Sequence, residues 1–197
     1  HLNLSRFDKV KRIDLEFYKD NESSSSSCGA PFPMLETLYF SYMYCLEGWL
    51  SVSYEVELDA FPRLRSLKLE CCPALKGDLP GQLPALKRLW IHRCGRLAFT
   101  LPRVDAILDI YVKRFKQQQM EVIFEAIACN QLNCLQSLTI LECFSSISFP
   151  TQICLPSSLQ EWEIENCPYL VSFPRTCLPS SLQKLVIHDC PYVTMGL

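Results

Sequence analysis

Leu83-Pro-Ala-Leu-Lys-Arg-Leu-Trp-Ile-His-Arg-Cys94, Leu155-Pro-Ser-Ser-Leu-Gln-Glu-Trp-Glu-Ile-Glu-Asn-Cys167 and Leu178-Pro-Ser-Ser-Leu-Gln-Lys-Leu-Val-Ile-His-Asp-Cys190 are three versions of one phrase. Their shared core is Leu-x-x-Leu-x-Leu-x-x-Cys, nine positions long. The same frame fits Leu64/Leu67/Leu69/Cys72 and Leu135/Leu138/Ile140/Cys143. With looser residues it fits Val10/Ile13/Leu15/Tyr18, Leu35/Leu38/Phe40/Met43 and Ile107/Ile110/Val112/Phe115. Eight units result, starting near residues 10, 35, 64, 86, 107, 135, 159 and 182.

The starts lie 21 to 29 residues apart, and both this period and the Asn-or-Cys ninth position match the leucine-rich repeat. Positions four and six alternate with polar residues, as a strand buried on one face requires, and position one turns inward from the preceding loop. The sequence therefore predicts an α/β repeat solenoid. It is a horseshoe with a parallel concave sheet of about eight short strands and an irregular convex side, forming one domain over residues 1–197. A single unit cannot bury its own apolar face, so the core exists only through stacking.

This grammar explains much of an otherwise odd composition. The chain has 197 residues, 49% of them hydrophobic, and 12 cysteines. Cys72, Cys94, Cys143, Cys167 and Cys190 fill the ninth position, where a small, weakly polar, buryable side chain suits a chain turning inward. Cys154 and Cys177, each five residues before a unit start, are expected to follow the same logic on the connecting side. Cys28, Cys45, Cys71, Cys129 and Cys134 fall outside the frame. There is no CxxC, and His1, His92 and His188 are scattered, so neither a metal site nor a disulfide framework is expected. The prolines that follow position nine (Pro73, Pro168, Pro191) or precede the strand (Pro62, Pro84, Pro156, Pro179) keep each strand short.

The net charge of -2 gives no reason to expect nucleic acid or an anionic membrane as partner. Six glycines without a GxxxxGK or GxGxxG arrangement make a nucleotide, another small-molecule ligand or any cofactor unexpected. Adjacent residues of a strand alternate faces, so His188 and Asp189 are expected to point apart; no GxSxG elbow occurs either, and catalysis is not expected. The Ser23 to Ser27 run reads as a flexible loop, Glu47 to Ala60 as a second excursion, and Phe115 to Gln131 as a short amphipathic helix on the convex side. No apolar run has membrane-span length, the first residue is His, and neither end carries a clear polar capping unit. The expectation is a fragment of a longer array.

The stretch from Phe61 to Pro102, the block Phe32 to Trp49 (FPMLETLYFSYMYCLEGW) and the two LPSSL units resemble the C-terminal leucine-rich repeats of plant intracellular nucleotide-binding disease-resistance proteins, in particular the coiled-coil class. The resemblance covers most of the chain, with EGW standing where that family tends to have EEW. It implies a cytoplasmic immune-receptor segment in plant defence. That segment would recognise a pathogen effector or a guarded host protein and help restrain the receptor's nucleotide-binding domain.

The repeat itself nominates a surface. Non-consensus strand residues stack into columns on the concave face, and the fifth-position column is expected to read Asp14, Tyr39, Lys68, Trp90, Tyr111, Thr139, Glu163, Val186. Tyr39, Trp90 and Tyr111 would stand exposed beside cations, which is hot-spot chemistry. Arg65, Lys68, Lys87, Arg88, Arg93, Lys113 and Arg114 would make units three to five basic, against Glu70 and Asp109. Glu142, Glu161, Glu163 and Glu165 would make units six and seven acidic, so a partner of complementary charge is expected there. Two rival readings use similar repeats. One is a ubiquitin-ligase substrate adaptor. The other is an extracellular receptor ectodomain, suggested by Leu75-Lys-Gly-Asp-Leu-Pro80 and by the sequons at Asn3 and Asn21.

Overall fold

Seven of the eight expected units turn their alternation into one strand each of a common sheet. A computed structural model of the chain describes residues 1–13, 32–49, 61–79, 83–98, 100–101, 107–147, 149, 153–171, 173 and 178–193. The order of elements is β1 (Leu2–Ser5), β2 (Arg12–Ile13), β3 (Thr37–Ser41), β4 (Gly48–Trp49), β5 (Ser66–Glu70), β6 (Arg88–His92), β7 (Asp109–Lys113), α1 (Gln117–Ala128), β8 (Ser137–Leu141), β9 (Glu161–Glu165) and β10 (Lys184–His188). Eight of the strands form one parallel sheet in the order β1-β3-β5-β6-β7-β8-β9-β10. The register is unbroken: position four runs Leu2, Leu38, Leu67, Leu89, Ile110, Leu138, Trp162, Leu185 across the whole sheet. Even the degenerate fifth unit contributes its strand, because Ile110 and Val112 satisfy the two inward positions.

One expectation is corrected. The first strand of the main sheet is Leu2–Ser5, with Leu2 rather than Ile13 at position four of a unit whose start was expected near residue 10. Ile13 instead belongs to β2, which pairs with β4 in a separate two-stranded sheet. The turn from Phe7 to Val10 shows why: the Val10 N–H donates to the Phe7 carbonyl, as Leu46 does to Met43, Leu75 to Cys72 and Leu97 to Cys94. Val10 is thus the twelfth position of a unit, not the first, and two apolar residues three apart suit either site. Asp14, Leu15 and Tyr18, the Ser23 to Ser27 run, Cys28, Cys177 and most of the Glu47 to Ala60 excursion lie outside the described residues.

Position-one residues Leu64, Leu86, Leu135 and Leu159 and the position-four and position-six columns of the inner strands form the core, nearly all at 0 to 1% exposure. In β10 the equivalent Leu185 is 40% exposed, since no further strand covers it among the described residues.

The chain leaves every strand of the main sheet through the same backbone device. Arg6, Tyr42, Cys71, Arg93, Arg114, Glu142, Asn166 and Asp189, all at position eight, adopt φ between 50° and 60°. For a residue with a Cβ this left-handed conformation costs roughly 1 kcal/mol. It lets the position-eight N–H reach the position-seven carbonyl of the next strand: Arg6 to Ser41, Tyr42 to Glu70, Cys71 to His92, Arg93 to Lys113, Arg114 to Leu141, Glu142 to Glu165 and Asn166 to His188, at 2.8–3.1 Å. Cys71 thereby gains a place in the frame. A β-branched side chain resists φ > 0 most strongly, so Arg93→Val is expected to lose about 1–2 kcal/mol of stability while Arg93→Asn loses about 0.5 or less. Denaturant titration of the two variants measures the difference.

The ninth-position thiols point inward onto the backbone. Those of Cys72, Cys94, Cys143, Cys167 and Cys190 each donate to the carbonyl two residues back, at 3.3–3.6 Å. The hydrogen bond shared with Cys72, then burial, pushes the Cys94 thiol far up, and a bond with Cys143 plus burial does the same to Cys167. Cys94 and Cys167 are therefore poor nucleophiles, while the same shared bonds pull the thiols of Cys72 and Cys143 down. All ten cysteines among the described residues are free. Cys154 corrects another expectation: it is exposed, because the inward residues of that segment are Ile153 and Leu155.

The expected helix is α1, on the return path of the fifth coil. It buries Met120, Ile123, Phe124 and Ile127, a 3.6-residue stripe. Asn130 at φ 58° ends it, with the Gln131 N–H donating to the Ala126 carbonyl at 2.9 Å, a left-handed C-terminal cap.

Candidate partner-binding face

The strand register assembles the expected fifth-position column with one substitution. It reads Asn3, Tyr39, Lys68, Trp90, Tyr111, Thr139, Glu163, Val186. Asn3 takes the place expected for Asp14, following the shift of the first strand.

Within this column the side chains stack. The Lys68 ammonium lies 4.5 Å from the Tyr39 ring centroid and 4.0 Å from that of Trp90. Trp90 in turn packs on Tyr111, with centroids 4.2 Å apart and the rings tilted by 41°. A cation held against aromatic faces contributes about 0.5–2 kcal/mol, depending on how dry it is. Trp90 keeps 39% of its surface exposed.

Glu70 ties the stack to the next column. The Tyr39 hydroxyl donates a short hydrogen bond to its carboxylate, with the Lys68 ammonium 3.6 Å and the His92 Nδ1 3.5 Å away. Burial, then the bond to Glu70, pushes the Tyr39 hydroxyl up to about 12. That hydrogen bond, with help from Lys68 and His92, holds the Glu70 carboxyl below its usual range despite partial burial. Burial outweighs Glu70 at His92 and keeps the imidazole pKa low. Sequence reading counted Glu70 among the charges but missed its role as a hub, which depends on three neighbouring strands.

The remaining expected residues divide by position. Arg88, Lys113, Glu161 and Glu165 lie on the sheet, whereas Arg65 and Lys87 precede their strands and Arg93 and Glu142 occupy the position-eight turn. Many of the charges expected to form a basic and an acidic half are paired across strands. Glu142 receives Lys113 and Arg114, each at 2.7 Å, and these hydrogen bonds hold its carboxyl down to about 2. Arg88 lies 3.8 Å from Asp109, Arg65 3.8 Å from Glu36, and Lys184 3.1 Å from Glu163. Parallel strands set about 4.8 Å apart bring such groups within reach, a proximity that residue order conceals. Among the described residues Lys87, Arg93, Glu161 and Glu165 make no ion pair.

The described residues contain no cluster of three or more His, Cys, Asp or Glu able to hold a metal ion. None of their helices is long and apolar enough to cross a membrane.

No family model matches the chain, and no solved structure matches it. It is 29% identical, over 86% of its length, to an Arabidopsis thaliana protein named for disease resistance, RPP13-like protein 1. It is also 29% identical, over 48% of its length, to a second Arabidopsis thaliana protein named for disease resistance. The chain spans 18% of the first relative and 6% of the second. The chain is therefore a homologue of plant disease-resistance proteins, folded as a leucine-rich-repeat solenoid.

Proposed function

We propose that the chain is a protein-recognition segment of a cytoplasmic plant immune receptor, using its concave face to bind a pathogen effector or a guarded host protein. A second, intramolecular partner would be the receptor's nucleotide-binding domain, restrained through these repeats. The reading assigns the segment no catalytic role and no cofactor. One observation carries it: the stack Tyr39, Lys68, Trp90, Tyr111 stands on the sheet face that the core does not need. Rigid rings desolvate a large area at low entropic cost, and such groups dominate binding energy in protein interfaces. Homology to disease-resistance proteins supports a role in plant defence.

The double exchange Arg88→Ala with Trp90→Ala tests this. Proteins captured from plant tissue by proximity labelling with the parent are expected to be lost with the variant, while the melting temperature falls by no more than a few degrees, about 1 kcal/mol. An identical captured set for both would refute the reading.

A further inference from the structure

The aromatic stack ends abruptly. Tyr39, Lys68, Trp90 and Tyr111 succeed one another on four adjacent strands, and the next two residues of the column are Thr139 and Glu163. Trp90 covers one side of Tyr111. Among the described residues no ring or cation covers the other. Ser137 and Thr139 on β8 are short, so they form a low floor between Asp109 and Tyr111 on one side and Glu161 and Glu163 on the other.

We propose that this gap receives the arginine side chain of the protein partner, stacked on Tyr111 above Thr139. The inference rests on the partner-binding reading and names the chemistry the partner brings. Two strand spacings, about 9.6 Å, separate Tyr111 from Glu163. A planar guanidinium stacked about 3.5–4 Å from the ring occupies the middle of that span. The chain already displays the arrangement one step away, where Lys68 lies between Tyr39 and Trp90.

Charge complements shape. Asp109 is met by Arg88 and Glu163 by Lys184, while Glu161 makes no ion pair among the described residues and stands as the wall carboxylate free to take a cation. The field is felt across the floor. Burial raises the Asp109 carboxyl pKa against the pull of Arg88, and Glu161 raises it further. The Tyr111 hydroxyl is raised by burial and by Glu142, Glu163 and Glu70, against the opposite effect of Lys113. An arriving cation relieves both. Arginine fits better than lysine because a flat, weakly hydrated group stacks and forks towards carboxylates.

The test uses the 197-residue chain and the peptide acetyl-Gly-Arg-Gly-amide, with the same peptide carrying neutral citrulline as control. Nuclear magnetic resonance of the Tyr111 ring and the Thr139 methyl should show saturable shifts with a Kd of about 1–10 mM, and citrulline should bind about tenfold more weakly. Glu161→Gln should weaken binding about threefold. Thr139→Lys, which supplies its own cation, should abolish it while melting like the parent. Absent shifts, equal binding of citrulline, or unchanged binding by Thr139→Lys would each overturn the proposal. Loss of captured proteins with Arg88→Ala/Trp90→Ala but no peptide binding sinks the gap alone. Peptide binding with unchanged capture sinks the reading on which it rests.

Discussion

Trp162→Ala should lower the free energy of unfolding by about 3–5 kcal/mol, among the largest single losses available to this chain. The residue occupies position four of its coil, where the neighbouring strands offer Leu138 and Leu185, and it is fully buried. Its extra volume is used. The ring packs 4.8 Å from Phe173 and edge-on, at 5.3 Å, to Phe149, which in turn contacts Phe124 of α1 at 4.5 Å. Removing the indole therefore opens a cavity shared by three coils, and a stack of coils that each contact only their neighbours cannot close it from a distance. The indole N–H, however, is buried without an acceptor. Leaving such a donor unsatisfied costs about 1–3 kcal/mol, so Trp162→Phe removes that penalty along with some packing. The expected result for Trp162→Phe is a net loss of about 1 kcal/mol or less. Urea unfolding of both variants distinguishes the outcomes. An alanine loss no greater than that of phenylalanine would mean that the aromatic cluster does not hold the coils together.

Gln119→Leu is expected to cost about 2–4 kcal/mol, although it places an apolar residue at a buried helical position. The side-chain amide donates to the carbonyls of Cys94 at 3.1 Å and Leu97 at 2.9 Å, and its oxygen accepts the Lys116 N–H at 3.0 Å. One side chain thus closes the first turn of α1 and ties it to the preceding coil. Leucine takes their side-chain partner from the Leu97 carbonyl and the Lys116 N–H, while the Cys94 carbonyl keeps only the Leu97 N–H. Gln119→Glu separates the two roles, since a carboxylate still accepts from Lys116 but faces two carbonyl oxygens. Its carboxyl pKa should be higher in the folded chain than in the unfolded one. Protonation then favours folding, so this variant gains stability, relative to the parent, as pH falls through the folded pKa to below the unfolded one. Thermal melts from neutral to acid pH, with the parent as reference, measure that difference. A pH-independent gap between variant and parent would argue against the assigned donor direction.

The fold was legible because the repeat is written in apolar positions whose burial the stack requires. Leu67/Leu69, Leu89/Ile91 and Trp162/Ile164 could be assigned to the inner face from alternation alone. The misplacement at the amino end has a physical cause. Val10 and Ile13 satisfy the spacing of two inward positions, but so does the corner that follows a strand, where the second sheet forms. Leu2 and Leu4 lacked a repeat start in front of them to announce the strand. The candidate face was legible in its aromatics, since register follows from the period. Its charges were not, because whether Lys113 meets Glu142 depends on cross-strand distance. Nor could sequence show that Ser137 and Thr139 form a low floor, since only the heights of Tyr111 and Glu163 beside them define one.

The left-handed turn at position eight has a consequence for how such a chain can change. A turn that depended on glycine would erase the side chain wherever it occurred. Here arginine, tyrosine, cysteine, glutamate, asparagine and aspartate all accept the same φ, because the hydrogen bond to the next strand stabilises the backbone irrespective of what the residue displays. The rim of the sheet is thus a row of interchangeable letters on a fixed line. Unbranched residues can be exchanged there to alter what the face displays, at a nearly constant conformational cost and without touching the leucines beneath.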